Sequence, residues 1–254
     1  MKMNSQLAEE SRYFSAVADS YDRLQPTLAG PSYSKGLDMI VQLIPFAKDD
    51  AFEFAELGCG TAEPALRVLR HFPYARGTCI DSEPDMLALA AGKLESHEGR
   101  ARVQQADMVR FDIPVCDVVF SAKAIHHVSP ADLPTVFARI VQALKPGGCL
   151  LLYDGMAVGP QWGAEIGGLS RRARDRHVRN AIAAGEATQE ELDARWEFKR
   201  KMKDAGKDVE YRHTADDILT VMADAGFAET GIVWRMFADT ILIGFTSGQK
   251  TPRS

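Results

Sequence analysis

The sequence has few cysteines and no long apolar runs. Its four cysteines, Cys59, Cys79, Cys116 and Cys149, show no C-x-x-C spacing, so we predict reduced thiols packed in or beside strands and no metal site. No stretch approaches the roughly 18 continuous apolar residues of a membrane helix. Residues 1–21 lack the apolar core of a signal peptide. These absences predict a cytoplasmic protein without a membrane partner.

Positive charge is not in excess either. The 30 basic and 35 acidic side chains give a formal net charge of −5, which argues against a protein that binds nucleic acid in bulk. Hydrophobic residues make up 46% and charged residues 26%, which are ordinary values for a globular protein and exclude a disordered chain. We therefore expect a small molecule as the partner of this chain.

Short apolar runs alternate with amphipathic helical segments between about residues 50 and 154. The runs are 52–57, 77–81, 102–106, 116–121 and 149–153. Such an alternation predicts a doubly wound α/β core, with a parallel sheet and helices on both faces. Two later runs, 228–233 and 240–245, are predicted to form an antiparallel pair that closes the sheet.

The chain divides into four predicted regions. Residues 1–46 form an N-terminal helical cap and 47–159 the α/β core. Residues 160–213, highly charged and helical in composition, form an insert or lid, and 214–254 supply a closing helix and the last strand pair.

The turn after the first predicted strand contains small residues. Residues 56–64 read ELGCGTAEP and open a helix, so the backbone can approach a ligand at the carboxyl end of the sheet. A dinucleotide would require a third glycine where Glu63 stands, because its pyrophosphate lies against the helix N-terminus. Glu56 and Glu63 instead favour a cofactor with an ammonium group and no phosphates. An NADH-binding dehydrogenase is the alternative.

Asp81 ends the second predicted strand. A carboxylate at this place can accept hydrogen bonds from both hydroxyls of a ribose. The alternative is an N-terminal cap of the next helix. Ser82 with Asp85 three residues later already resembles a capping box, so we favour the ribose interpretation.

Asp107 ends the third predicted strand. It can accept a bond from an adenine amino group, with Met108 against the ring, or it can form a turn. Met86 either flanks the adenine or belongs to the core.

Taken together in their order along the chain, several segments resemble motifs of class I S-adenosylmethionine (SAM)-dependent methyltransferases of the small-molecule type. The resemblance covers residues 50–155 closely and 214–246 loosely. It rests on 56–61 (ELGCGT), Asp81, Asp107, 117–122 (DVVFSA), 124–128 (AIHHV), 144–148 (LKPGG) and 224–227 (DAGF). It implies a Rossmann-like sheet of seven strands with the last strand antiparallel, SAM as cofactor and S-adenosylhomocysteine as product. Ala62 departs from the family, since many members have a third glycine there.

The resemblance also implies roles for individual residues. Glu56 would pair with the methionine ammonium directly or through water, and the backbone at Ser121 and Ala122 would lie near the sulfonium. Tyr21, in a YD pair, would cover the methionine end of the cofactor, or would only pack its helix. The implied cofactor-binding set is Tyr21, Glu56, Gly58, Cys59, Gly60, Asp81, Ser82, Met86, Asp107, Met108, Ser121 and Ala122.

Candidate catalytic residues follow the fourth and fifth strands. Methyl transfer is an in-line substitution that needs a general base only when the acceptor arrives protonated. His126, His127 and Asp154 stand on the acceptor side, and a histidine titrates near neutral pH. At least one of the two histidines is expected to pack or to hold a loop. An oxygen, carbon or nitrogen acceptor remains open.

The insert is rich in arginine. On a helix Arg172, Arg176 and Arg179 share a face that either holds an acidic substrate or an RNA phosphate, or is solvated; we favour solvation because acidic residues follow. Trp196, Phe198 and Met202 line a pocket or pack the insert on the core.

Two other functions stay open. The last third is loosely similar to the carboxy-SAM synthases of tRNA modification, and a catalytically silent SAM-binding module would keep the same motifs. A homodimer is possible.

Overall fold

A seven-stranded sheet organises the chain, which the computed structural model describes over residues 21–159, 161–206 and 208–248. The strand order is β3-β2-β1-β4-β5-β7-β6. All neighbours pair in parallel except β7, which is antiparallel to both β5 and β6. The strands are β1 Glu53–Leu57, β2 Arg76–Asp81, β3 Ala101–Gln105, β4 Cys116–Ala122, β5 Leu144–Gly155, β6 Glu229–Met236 and β7 Asp239–Phe245. This confirms the predicted Rossmann-like fold.

Helices flank the sheet and form the insert. They are α1 (residues 21–29), α2 Tyr33–Leu43, α3 Glu63–His71, α4 Pro84–Leu94, α5 Leu133–Ala143, α6 Gly163–Ala183, α7 Gln189–Asp204 and α8 Ala215–Ala225. Short 3₁₀ turns cover Glu95–His97 and Ile125–His127. Of the predicted N-terminal cap, residues 1–20 lie outside the described residues.

Both faces of the sheet are covered by apolar side chains. Helices α2, α3 and α4 pack on one face, where Ile40, Val68 and Leu87 are buried. Helices α5 and α8 pack on the other, where Phe137 and Ile218 are buried. Burial on both faces explains why residues 118–120 of β4 and 149–153 of β5 are continuously apolar. The four cysteines are buried, as predicted.

A separate apolar cluster, which we call the lid cluster, joins α1 to α6 and α7. Its members are Leu24, Leu28, Val178, Ile182, Ala187 and Leu192. Arg23 of α1 strengthens the attachment, since it donates a 2.8 Å hydrogen bond to the Glu186 carbonyl and pairs with Glu191. Helix α1 therefore packs with the insert, whereas α2 packs with the sheet.

Two local predictions differ from the structure. The capping box of Ser82 and Asp85 is wrong: α4 begins at Pro84 with Glu83 as N-cap and without a side-chain cap. The fifth strand begins before the predicted residue 149, because Leu144 already pairs with Cys116 and the ladder resumes at Val118 and Cys149 after a bulge.

Within the described residues, no helix is both long enough and apolar enough to cross a membrane.

Candidate functional site

A cavity of about 1410 Å³ lies at the carboxyl ends of the parallel strands. Ligand pockets usually measure about 300–1,000 Å³, so this one has room for more than one small ligand. Its wall includes most of the predicted site residues, namely Tyr21, Gly58, Cys59, Gly60, Asp81, Ser82, Met86, Asp107, Met108, Ala122, His126, His127 and Asp154. The structure therefore brings the predicted cofactor-binding and catalytic residues together.

The turn after β1 needs glycine at residue 58 because of both backbone conformation and a close contact, and at residue 60 because of backbone conformation alone. Gly58 has φ +63°, and a Cβ there would lie 2.3 Å from the Ala124 Cβ. Gly60 has φ +52°, but a Cβ there would meet nothing within 4 Å. Ala62, with φ +57°, adopts the left-handed conformation that favours glycine. This conformation explains why a glycine would suit the position of Ala62.

Replacing Gly58 with alanine should destabilise the fold far more than the same change at Gly60. The added methyl group at residue 58 collides with Ala124 in a left-handed backbone, so we expect a loss of about 3 kcal/mol. Gly60→Ala carries only the conformational cost of about 1 kcal/mol. Urea unfolding of both variants measures the difference. Equal losses would show that contact with Ala124 is not what requires glycine at residue 58.

Glu56 and Ser121 lie beneath the cavity wall. Glu56 is 1% exposed, and its Oε2 accepts a hydrogen bond of 3.2 Å from the Ala65 N–H at the start of α3. Burial raises the pKa of Glu56 well above its usual range. Ser121 Oγ donates to the Leu57 carbonyl at 2.8 Å. Both side chains hold the floor of the turn, and the described cavity wall does not include them.

Asp81 joins the glycine turn to the start of α4. Its Oδ2 accepts the Gly60 N–H at 2.7 Å and its Oδ1 accepts the Glu83 N–H at 3.0 Å. Asp81 thus binds the backbone of Glu83, the N-cap residue, and does not itself cap α4, while its carboxylate still lines the cavity. A carboxylate oxygen has two lone pairs, so each oxygen retains capacity for a ligand hydroxyl.

Asp107 and two methionines form the neighbouring part of the wall. Asp107 Oδ1 accepts the Val109 N–H at 2.9 Å, so this residue does form a turn. Met108 and half-buried Met86 also line the cavity. The wall here combines one exposed carboxylate with apolar thioethers, which suits a flat base with a polar edge.

Glu63 is compensated by basic side chains. Its carboxylate lies 3.0 Å from Arg67 Nε and 3.4 Å from Lys93 Nζ. The negative charge that the sequence places beside the turn is therefore largely neutralised. With Arg67 and Lys93 beside it, Glu63 repels a pyrophosphate less than its position in the sequence predicts.

A polar network that the sequence analysis missed connects α1 with the glycine turn. Asp22 accepts a 2.6 Å hydrogen bond from Thr61 Oγ1 and forms a 2.5 Å ion pair with Lys93. The neighbouring Tyr21 lines the cavity, and burial raises its pKa above 10. The sequence signal for this network is the YD pair, because its aspartate is the residue that binds Thr61 and Lys93.

His126 and Asp154 form a partly buried pair on the other side of the cavity. Asp154 is 2% exposed; its Oδ1 lies 2.7 Å from His126 Nδ1, and its Oδ2 accepts the His126 backbone N–H at 3.0 Å. Since a carboxylate can only accept, Nδ1 carries the proton and Nε2 is the nitrogen left for a ligand.

The pair stabilises its own charges. Burial lowers the pKa of His126, but the hydrogen bond and charge of Asp154 outweigh burial and raise the pKa above 6.5. Burial raises the pKa of Asp154, but the bond to His126 and the charge of Lys123 bring it below 3.8. An imidazole with an elevated pKa and a free Nε2 can accept a proton.

His127 has a different environment. Its Nδ1 lies 2.9 Å from the Val209 carbonyl, and Asp208 lies at 3.8 Å. The histidine therefore holds the segment after α7, which is the loop-bonding arrangement expected of at least one of the two.

The arginine of the insert that lines the cavity is not one of the three that helical spacing places on one face. Arg172, Arg176 and Arg179 are exposed and are not among the residues that line the cavity, which agrees with a solvated face. Arg174 lines the cavity instead, together with Trp196, Phe198 and Met202. Helix α6 buries only Ala181, so its sequence offered no apolar stripe from which to fix its orientation.

Comparisons with known proteins agree with this fold. Residues 54–148 match the family described as "Methyltransferase domain". A carboxy-S-adenosyl-L-methionine synthase of Pectobacterium atrosepticum is 29% identical over 144 residues, 54% of this chain and 57% of that protein. A trans-aconitate 2-methyltransferase of Rhodopseudomonas palustris is 36% identical over 114 residues, 44% of this chain and 41% of that protein. The chain thus spans about half the length of these curated relatives.

A solved structure extends the similarity to the whole fold. An O-methyltransferase family protein from Burkholderia thailandensis superposes with a TM-score of 0.64 at 22% identity, covering 97% of this chain and 63% of that one.

Proposed function

Because the chain carries a methyltransferase domain and resembles the class I SAM-dependent methyltransferases in fold, we propose that it binds SAM in the cavity and methylates a hydroxyl group of a small molecule. One observation carries the proposal. A single cavity joins Asp81, at the end of β2, with the His126–Asp154 pair at the ends of β4 and β5. The first can hold a ribose and the second can accept a proton.

We assign each part of the cofactor to residues on or beneath the cavity wall. Asp81 binds the ribose hydroxyls, and Asp107 with Met108 binds the adenine. The turn at Gly58 and Gly60 lies along the methionine portion. Glu56, beneath the turn, orients the loop and reaches the ammonium through water. Tyr21 covers this end of the cavity.

The remaining residues prepare the acceptor. When bound, SAM supplies a methyl group on a sulfonium leaving group. With SAM bound, His126 Nε2 would accept the proton of the acceptor hydroxyl, and Asp154 would stabilise the resulting imidazolium. The insert excludes water and aligns the acceptor.

A second candidate function is carboxy-SAM synthesis. The similarity to the Pectobacterium atrosepticum protein favours it. The two activities differ in what happens to SAM: a methyltransferase releases S-adenosylhomocysteine, whereas a synthase of this kind adds a carboxylate to SAM. Mass spectrometry of the nucleosides after turnover distinguishes them.

Calorimetric titration with SAM, S-adenosylhomocysteine and NADH tests the cofactor. We expect the first two to bind with dissociation constants on the order of micromolar, a usual range for enzyme ligands, and NADH not to bind. Binding of NADH alone would replace the proposal with an oxidoreductase. If none of the three binds, the cofactor assignment fails.

A further inference from the structure

The cavity wall formed by α6 and α7 is basic and aromatic. Its charged side chains are Arg174, Arg195, Lys199 and Lys203, next to the rings of Trp196 and Phe198. No acidic residue from the described parts of these two helices lines the cavity. Acids of α7 are engaged elsewhere: Glu191 pairs with Arg23, and Glu197 pairs with Lys201.

The acidic side chains of the wall come from other elements, including Asp208 and Glu210 in the segment after α7. Asp81, Asp85 and Asp107 lie around the proposed ribose and adenine sites. The described residues of α6 and α7 thus contribute four basic and no acidic side chains to the wall, and the cavity volume of about 1410 Å³ leaves space beyond a first ligand. An anion would be attracted to the end formed by α6 and α7.

Arg174 is the best-placed anion-binding group at that end. Its guanidinium carbon lies 5.6 Å from the centroid of the Trp196 ring, and its stem lies beside Gly30 at the end of α1. Within the described residues, no carboxylate lies within 4.0 Å of its nitrogens. A guanidinium stacked on a ring keeps its in-plane N–H edge available for two parallel bonds to a carboxylate.

Two of the neighbouring positive charges, Lys199 and Arg195, have other roles. Lys199 forms a 2.8 Å ion pair with Glu210. The Arg195 guanidinium lies 4.7 Å from the Tyr21 ring centroid and so belongs to the contact between α7 and α1. It adds positive potential beside Arg174. Trp196, 39% exposed, offers its ring to a flat ligand.

We propose that the methyl acceptor is an aromatic acid whose carboxylate is bound by Arg174 and whose ring contacts Trp196 and Phe198. This inference rests on the proposed function, since it assigns the acceptor of the same site. The carboxylate lies at the α6–α7 end, and the hydroxyl that receives the methyl group is directed towards His126.

Protocatechuate and its neutral methyl ester are the test ligands. Binding is measured by calorimetry and tryptophan fluorescence, with and without S-adenosylhomocysteine. We expect the wild-type protein to bind the acid at least about tenfold more tightly than the ester, as a bidentate charge-assisted contact allows. Arg174→Gln should remove this preference, and Arg174→Lys should restore part of it.

Arg172→Gln is the matched control, because Arg172 lies on the same helix and is exposed. It should leave the preference for the acid unchanged. Equal binding of acid and ester to the wild-type protein, or equal losses in the two glutamine variants, would overturn the inference. Titration of the wild-type protein and of each variant with S-adenosylhomocysteine separates this result from the proposed function. Failure of the wild-type protein to bind it refutes the function, while the comparison of acid and ester without it still decides whether Arg174 binds an aromatic acid in the cavity.

Discussion

Replacing His126 with glutamine should lower kcat by about 10²–10⁴-fold, the usual contribution of a general base, and leave SAM affinity unchanged. The reason is geometric. Nδ1 of His126 is bonded to Asp154, so Nε2 is the proton acceptor that the cavity offers to a hydroxyl. Turnover with an acceptor found by screening measures kcat, and calorimetry measures the affinity for SAM.

The pH dependence should identify the same residue. A base works when deprotonated, so activity should fall as the pH drops through a pKa that Asp154 raises above 6.5. Asp154→Asn removes the charge that stabilises the imidazolium, so this limb of the profile should move to lower pH and the maximal rate should fall. A role confined to packing would not move the profile.

His127→Ala is the control for His126. His127 bonds the Val209 carbonyl and holds the segment after α7, so its loss should affect the acceptor KM more than kcat. Full activity of the His126 variant would remove base catalysis from the mechanism. Full activity of both variants would restrict the two histidines to structural roles.

Replacing Asp81 with alanine should weaken SAM binding by at least tenfold. Two charge-assisted hydrogen bonds to the ribose, worth about 1.5–3 kcal/mol each, would be lost. The variant also loses the acceptor for the Gly60 N–H, which lies 2.7 Å from Oδ2, and so loosens the turn along the methionine portion. Calorimetry with SAM and with S-adenosylhomocysteine measures the change.

Asp85→Ala separates hydrogen bonding from simple charge. Asp85 lines the same wall and carries the same charge, but it does not end a strand. We expect the affinity of the Asp85→Ala variant for SAM to change by no more than about twofold, since exposed charges interact weakly. Urea unfolding of both variants shows whether Asp81→Ala remains folded. A folded Asp81 variant with normal affinity would put the ribose elsewhere.

The sheet and the positions of its strand ends could be predicted from sequence. Alternating apolar runs and helical stripes define a parallel sheet, and residues that end parallel strands, such as Asp81 and Asp154, must meet at one edge. This rule alone predicts that Asp81 and Asp154 line the same cavity. It depends on periodicity, which a sequence displays directly.

Contacts between distant side chains could not be predicted in the same way. Asp22 binds Thr61 and Lys93 across gaps of tens of residues, which no local spacing encodes. The orientation of α6 was equally hidden, because a helix with so few buried residues has no stripe to show which arginine faces inward. Ser82 and Asp85 have the spacing of a capping box, yet the helix begins only at Pro84. The residue before it, Glu83, donates its backbone N–H to the Asp81 carboxylate.

The lid cluster sets a rule for recombining this protein with its relatives. Leu24 and Leu28 of α1 bury themselves against α6 and α7 and not in the two cores on the sheet. A chimera that exchanged only residues 161–206 would therefore leave half of an apolar interface facing a foreign partner. Exchanging 21–29 together with 161–206 keeps that interface intact while the strand ends that hold Asp81 and Asp154 stay native. The part of the chain that we propose selects the acceptor thus consists of two segments that are distant in sequence and share one apolar interface.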